Sequence, residues 1–218
     1  MGPKLVFIGL LVVVWVATHA RAAPATHALP WLHNLATRAE TSEATPSVIA
    51  RMSRWRASDP SCSAGAYGGL AITAEVAANP GQETVLASLS QGVLVLDARA
   101  ALIAAAMPLA CEGSADEVDG IAAGDAHIEG PVIALAVTTG GHRESVTRLV
   151  LYRVAEGVIA PIFTGIVSVH TGDQTRAGEV TLLPGALVYR APSGARALWT
   201  YDAAQHRYVP PVIRPPDA

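Results

Sequence analysis

The chain has 218 residues, 51% of them hydrophobic and 15% charged, with a formal net charge of -3. This composition is too apolar for a disordered chain, and the 15 Lys plus Arg residues are scattered, leaving no basic field for nucleic acid. The length suits one substantial hydrophobic core, so a single globular domain that does not bind nucleic acid is expected.

At the N-terminus, Lys4 precedes the apolar run LVFIGLLVVVWVA, and Ala20 and Ala22 then supply small residues at alternate positions. The run is short for a bilayer span and reads as a secretory signal over residues 1–22, with an uncleaved anchor as the rival. After cleavage the expected product is periplasmic or secreted and is not an integral membrane protein. Residues 23–47 read as an N-terminal segment and linker. Pro30 stands at a possible first helical position with Trp31, Leu32 and Leu35 on one side, which predicts a short helix. TSEATPS then reads as a linker ending near Ser47. A β-rich domain is expected over 48–212, and the tail over 213–218 is Pro-rich and extended.

Cys62 and Cys111 are the two cysteines of the chain. In an oxidising compartment they are expected to pair, closing a loop whose entropy is worth on the order of 4 kcal/mol. Between the ends, apolar segments of strand length recur, rich in β-branched residues and punctuated by Gly, Pro, Asn and Ser: GGLAITAEV, ETVLASL, GVLVLDA, VDGIAAGD, PVIALAVTT, TRLVLYRV, VIAPIFTGIVSV, GEVTLLPG, ALVYRAP, ALWTYDA and RYVPPV. The connections SQG, GGHRES, AEG, PSG and AAQH are short, which favours antiparallel neighbours. The Ala-rich ARAALIAAAMPLA has helical propensity, yet VLDARAALIA from Val95 aligns without a gap on LYRVAEGVIA from Leu151, and both read as strand, turn, strand.

Extended backwards, that alignment yields three units at a period near 50 residues, opening at Ala74, Gly124 and Gly178. The units resemble the FG-GAP and VCBS type repeats of integrin-like β-propellers, whose blades open on Gly-Asp and carry a calcium loop of the form D-x-[DN]-x-D-G. The second unit keeps Gly124-Asp125 and Gly130. It departs from the pattern at His127, Glu129 and Ile133, the last standing where a final ligand belongs. In the first unit Glu75, Asn79 and Glu83 fall at loop positions, while Ala77 and Pro80 break the pattern. Ca²⁺ takes six to eight oxygen ligands, so this degenerate calcium loop is expected to hold none, and no cofactor is expected. The resemblance implies an all-β, antiparallel, propeller-like set of about three small sheets, and adhesion or ligand binding as the function. Three units fall short of the roughly four blades that close a ring, so a β-sandwich remains the alternative.

Chemistry is sparse. Asp125, His127 and Glu129 alternate and would share one face of an extended strand, which makes them the candidate metal ligands. Glu112, Asp116, Glu117, Asp119 and Asp125 form an acidic run that reads either as a solvated loop or as acid/base groups. His142, Arg143 and Glu144 occupy a hairpin tip, and Trp199 and Tyr201 share a strand face; these five are the candidate binding residues. No G-x-S-x-G or H-E-x-x-H occurs. The reading is a non-catalytic binding or structural accessory protein of the cell envelope with a protein partner. The alternatives are a metal-assisted or carboxylate-based hydrolase using Asp116 to Asp125, and an accessory subunit of an envelope complex.

Overall fold

A computed structural model describes residues 29–37, 40–43, 69–76, 83–88, 92–97, 101–106, 117–141 and 143–211. The described chain is all-β. In order, the strands are β1 (Leu32–His33), β2 (Ala36–Thr37), β3 (Glu40–Glu43), β4 (Gly69–Ala74), β5 (Glu83–Ser88), β6 (Gly92–Leu96), β7 (Leu102–Ala106) and β8 (Glu117–Asp125). They continue as β9 (Pro131–Gly140), β10 (Glu144–Ala155), β11 (Val158–Thr171), β12 (Gln174–Ala177), β13 (Glu179–Leu183), β14 (Ala186–Arg190), β15 (Arg196–Asp202) and β16 (Arg207–Val209). Among the described residues no helix is long and apolar enough to cross a membrane.

Turn chemistry sets the hairpins. Ala155 pairs with Val158, and the two residues between them, Glu156 and Gly157, both have positive φ, at 53° and 79°. That is the backbone of a type I′ turn, whose twist matches the flanking strands. The Ala-rich segment near residue 102 is strand β7, antiparallel to β6, as its alignment with the β11 segment implies.

The larger sheet runs β2-β8-β9-β10-β11-β7-β6-β5-β4-β3, with β12 on the free flank of β11. Its order is palindromic about the parallel bridge between Val158 and Ala105, with β4 to β7 on one side and β8 to β11 on the other. Each side is an antiparallel meander, so stepping outward from the parallel centre leaves β4 and β8 running in the same direction. The sheet curls, and its concave face collects Ile72 from β4, Val85 and Val95 from β5 and β6, and Ile121 from β8 in one buried cluster. The segments expected to form the first two units thus lie in one curled sheet, and the segment from Gly178 makes the meander β13 to β16, which with β1 forms a separate five-stranded sheet.

The five-stranded sheet covers the convex face of β9 to β11. Val132, Ala134, Leu149, Leu151, Ile162 and Phe163 meet Val180, Leu182, Leu187 and Tyr208 there. Strand β9 is thus buried on both faces, with Ile133, Leu135 and Val137 turned to the concave side. An unbroken apolar run such as PVIALAV suits that position, where an alternating pattern would bury polar groups.

The N-terminal segment departs from expectation. In place of a short helix at Pro30, Leu32–His33 pairs in parallel with β13 and Ala36–Thr37 pairs with β8. Asn34 lies between them at φ 64° and its amide nitrogen donates to the Leu182 carbonyl at 3.2 Å, so the chain turns where a helix would continue. Trp31, Leu32 and Leu35 still pack on the inter-sheet cluster, but from a strand–turn–strand path. The expected linker also begins as structure, since Glu40–Glu43 forms β3 against β4. The signal, Cys62, Cys111 and the tail over 213–218 lie outside the described residues.

Candidate functional site

Where the curl brings β4 and β8 together, their C-terminal ends enclose a cavity of about 230 Å³. Ala74 and Glu75 line one side; Ala123, Gly124, Asp125, Ile128, Gly130 and Pro131 line the other. These include Ala74-Glu75 and Gly124-Asp125, where the first two units expected from the sequence open. The palindromic sheet puts both openings at the same end of the barrel-like curl.

Each opening is pinned by a carboxylate bonded to the backbone. On the first side the buried Glu83 accepts from the Val76 N–H at 3.0 Å through Oε2. On the second, Asp125 Oδ1 accepts from the His127 N–H at 2.7 Å, the short-range closure that Asp side chains make in turns. Gly124 is required by a neighbour: a Cβ there would lie 2.4 Å from the Ala36 carbonyl oxygen of β2. Gly130, at φ 83°, supplies the left-handed backbone that returns the chain into β9.

The candidate metal ligands do not share a strand face. Asp125 ends β8, His127 sits at φ 57° in the turn, and Glu129 turns to Arg153, 3.7 Å from Oε2 to Nη2. Among the described residues there is no group of three His, Cys, Asp or Glu side chains that could hold a metal ion. Arg153 also donates to His206 Nδ1 at 2.9 Å, which makes that nitrogen an acceptor and places any ring proton on Nε2. Of the acidic run, Asp119 is exposed at a register irregularity between Val118 and Gly120, where its Oδ2 accepts from the Thr138 hydroxyl. Thr138 and Thr147 share a further hydroxyl bond at 2.6 Å. Glu112 and Asp116 lie outside the described residues.

At the hairpin tip, His142 also lies outside them, and Arg143 and Glu144 are exposed. Their carbonyls have structural work: the Arg143 carbonyl accepts from the Gly172 N–H at 2.7 Å and that of Glu144 from the Gly141 N–H at 2.8 Å. Trp199 and Tyr201 do share a face, and it is the inner face of the five-stranded sheet. Trp199 meets Phe163 edge-on with centroids 5.2 Å apart, and Tyr201 meets Tyr208 at 5.4 Å. They are packing residues of the inter-sheet layer, not an open stacking platform. Burial pushes the Tyr208 phenol up to about 12, with the neighbouring Tyr201 adding to the shift, and raises Tyr201 itself.

The fold and site define an antiparallel all-β protein with a small acidic cleft at the mouth of a curled sheet. No family model, no curated protein and no solved structure matches the chain. Asp125 stood among the candidate ligands of the sequence, and Glu75, which lines the same cleft, did not. The usable signal was the alignment of Ala74-Glu75 on Gly124-Asp125.

Proposed function

We propose that this chain is an exported, non-catalytic binding or accessory protein of the cell envelope, and that the cleft at the ends of β4 and β8 receives its ligand. The observation that carries the reading is the cleft itself: about 230 Å³ lined by two carboxylates, small residues and the apolar Ile128 and Pro131. Its volume is below the roughly 300–1,000 Å³ of pockets that enclose a drug-sized molecule, and matches one side chain or a small group. Asp125 spends one oxygen on the His127 N–H and Glu83 is bound to Val76, which suits a fixed receptor wall. Export rests on the Lys4 to Ala22 segment of the sequence, and adhesion-like binding on the propeller-type resemblance of the repeats.

Capture from an envelope extract tests the reading when paired with a cleft variant. Glu75→Arg, at an exposed position, fills the cleft with a long side chain of opposite sign. The wild type is expected to retain a specific partner that Glu75→Arg loses, with both proteins melting at the same temperature. Equal retention by the two removes the cleft as the site. Hydrolysis of ester, glycoside or phosphate substrates that disappears in Asp125→Asn would instead favour the carboxylate hydrolase.

A further inference from the structure

We infer that the segment from Trp31 to Glu43, described over 31–37 and 40–43, is a detachable clasp that closes the curled sheet across the cleft and opens as one unit before either sheet does. The inference concerns how the cleft is held, and it stands whether or not the cleft takes a ligand. In the order of the larger sheet β2 and β3 are the two opposite ends, yet Thr37 and Glu40 are three residues apart in the chain and at most about 11 Å from each other. One short stretch of chain therefore joins the outer flanks of β8 and β4, which share no ladder of their own among the described residues. The same stretch begins on the edge of the small sheet, where the Trp31 carbonyl accepts from the Val180 N–H at 2.7 Å and β1 pairs with β13.

The clasp meets the larger sheet at the walls of the cleft. Ala36 and Thr37 pair with Asp125 and Gly124 on one wall, and Glu40 pairs with Thr73, beside Ala74 and Glu75 of the other. With no ladder between β4 and β8, the clasp ties one wall to the other by backbone pairing. Its own hold is thin. Strands β1 and β2 are two residues each, and no side chain from Leu29 to Ala36 is fully buried, whereas Ile121 of β8 and Val180 and Leu182 of β13 are. Segments with few buried contacts open locally, ahead of the strands they lean on.

Native-state amide exchange of the full chain tests the clasp. The Val180 amide reports its attachment, and the Gly178 amide, which donates to the Val167 carbonyl at 2.8 Å, reports the junction of the two sheets without it. In the wild type, Val180 and the β4 amides bonded to β3 are expected to share one protection factor, at least about tenfold below those of Gly178 and the β10 amides. Gly124→Ala pushes on the clasp from outside it, since the added methyl would lie 2.8 Å from the Ala36 carbonyl carbon. It should lower the protection of Val180 at least about tenfold further and leave Gly178 unchanged. Asn34→Gly keeps the left-handed backbone at φ 64° and removes the bond to the Leu182 carbonyl, so a loss of about two- to tenfold is expected at Val180. Amide shifts at Glu75 and Asp125 should move together in that variant, although the change lies in neither wall. Equal protection of Val180 and Gly178 in the wild type, a loss shared by both in Gly124→Ala, or Asn34→Gly shifts confined to the small sheet overturns the inference. If Gly124→Ala does not fold, the wild-type pattern and Asn34→Gly decide it.

Discussion

Inside the curl, the buried layer is built from aliphatic side chains such as Ile72, Val85, Val95, Ile121, Ile133 and Leu135, with Tyr152 joining from β10. Between the two sheets, the layer takes aliphatic residues from both, such as Leu149 and Leu151 of β10 and Val180, Leu182 and Leu187 of the small sheet, and adds the aromatic Phe163 from β11 and Tyr189, Trp199, Tyr201 and Tyr208 from the small sheet. The aliphatic layer is a matter of volume alone. The aromatic layer brings polar tips into the interior, and they fare unequally: the Tyr189 hydroxyl donates to the Ile166 carbonyl at 2.7 Å, while Trp199 Nε1 and the hydroxyls of Tyr201 and Tyr208 have no hydrogen-bond partner among the described residues. The small sheet is held by ring packing as well as aliphatic contacts, at some polar cost, and the curled sheet, which carries the cleft, rests on close-packed aliphatics.

The largest loss of stability is expected inside the curl. Leu135→Ala, at a fully buried site, removes three carbons and leaves a cavity, so a loss of about 2–5 kcal/mol is expected in denaturant unfolding. An unfolding midpoint near that of the wild type would show that the concave layer collapses to fill the space.

In the aromatic layer, Gly165→Ala is the informative change. A Cβ there would lie 2.7 Å from Phe163 Cζ and 3.1 Å from Tyr189 Cε2, and Phe163 is itself held edge-on by Tyr189 and Trp199. The three rings must shift together, at a cost of about 1–3 kcal/mol. Loss of the near-ultraviolet signal of Trp199 alongside the lower midpoint checks that mechanism.

The smallest effect is the most specific. Each layer holds one tyrosine, Tyr152 or Tyr208, that burial pushes up to about 12. Below pH 10 the phenol is protonated in both folded and unfolded chains. Between pH 10 and 12 the unfolded chain releases protons that the folded chain keeps, so stability falls as pH rises through this window. Tyr208→Phe should reduce that alkaline slope, and at neutral pH should change stability favourably by less than about 1 kcal/mol, because the hydroxyl it deletes has no hydrogen-bond partner among the described residues. Midpoints measured from pH 7 to 12 check both parts; a destabilised variant at neutral pH would show that the hydroxyl is satisfied in solution.

Much of this architecture was legible in particular residues. The Glu156-Gly157 turn, the alternation of ALWTYDA and the gapless match of VLDARAALIA to LYRVAEGVIA locate β15 and two hairpins, because turn type and side-chain alternation depend on immediate neighbours. The pairing of Leu32 with Val180 was not legible, since nothing local in a two-residue strand specifies a partner so distant in sequence. Nor was the turn at Asn34, where helical spacing of Trp31, Leu32 and Leu35 gave way to a hydrogen bond with the Leu182 carbonyl. At the site, the Gly124-Asp125 opening read as a remnant of a calcium loop. The structure gives each residue another reason: Ala36 crowds Gly124, and Asp125 closes a turn on His127.

By itself the sequence determined that this chain is made of strands and where most of them begin and turn. Those features follow from φ preferences, side-chain alternation and apolar runs, all of them local. Only the tertiary structure decided that β4 to β7 and β8 to β11 share one sheet in palindromic order while β13 to β16 cover it, and that Glu75 and Asp125 therefore line one cavity. Sheet order depends on which apolar faces can be buried together over long sequence separations, and that competition is settled by packing the whole chain at once.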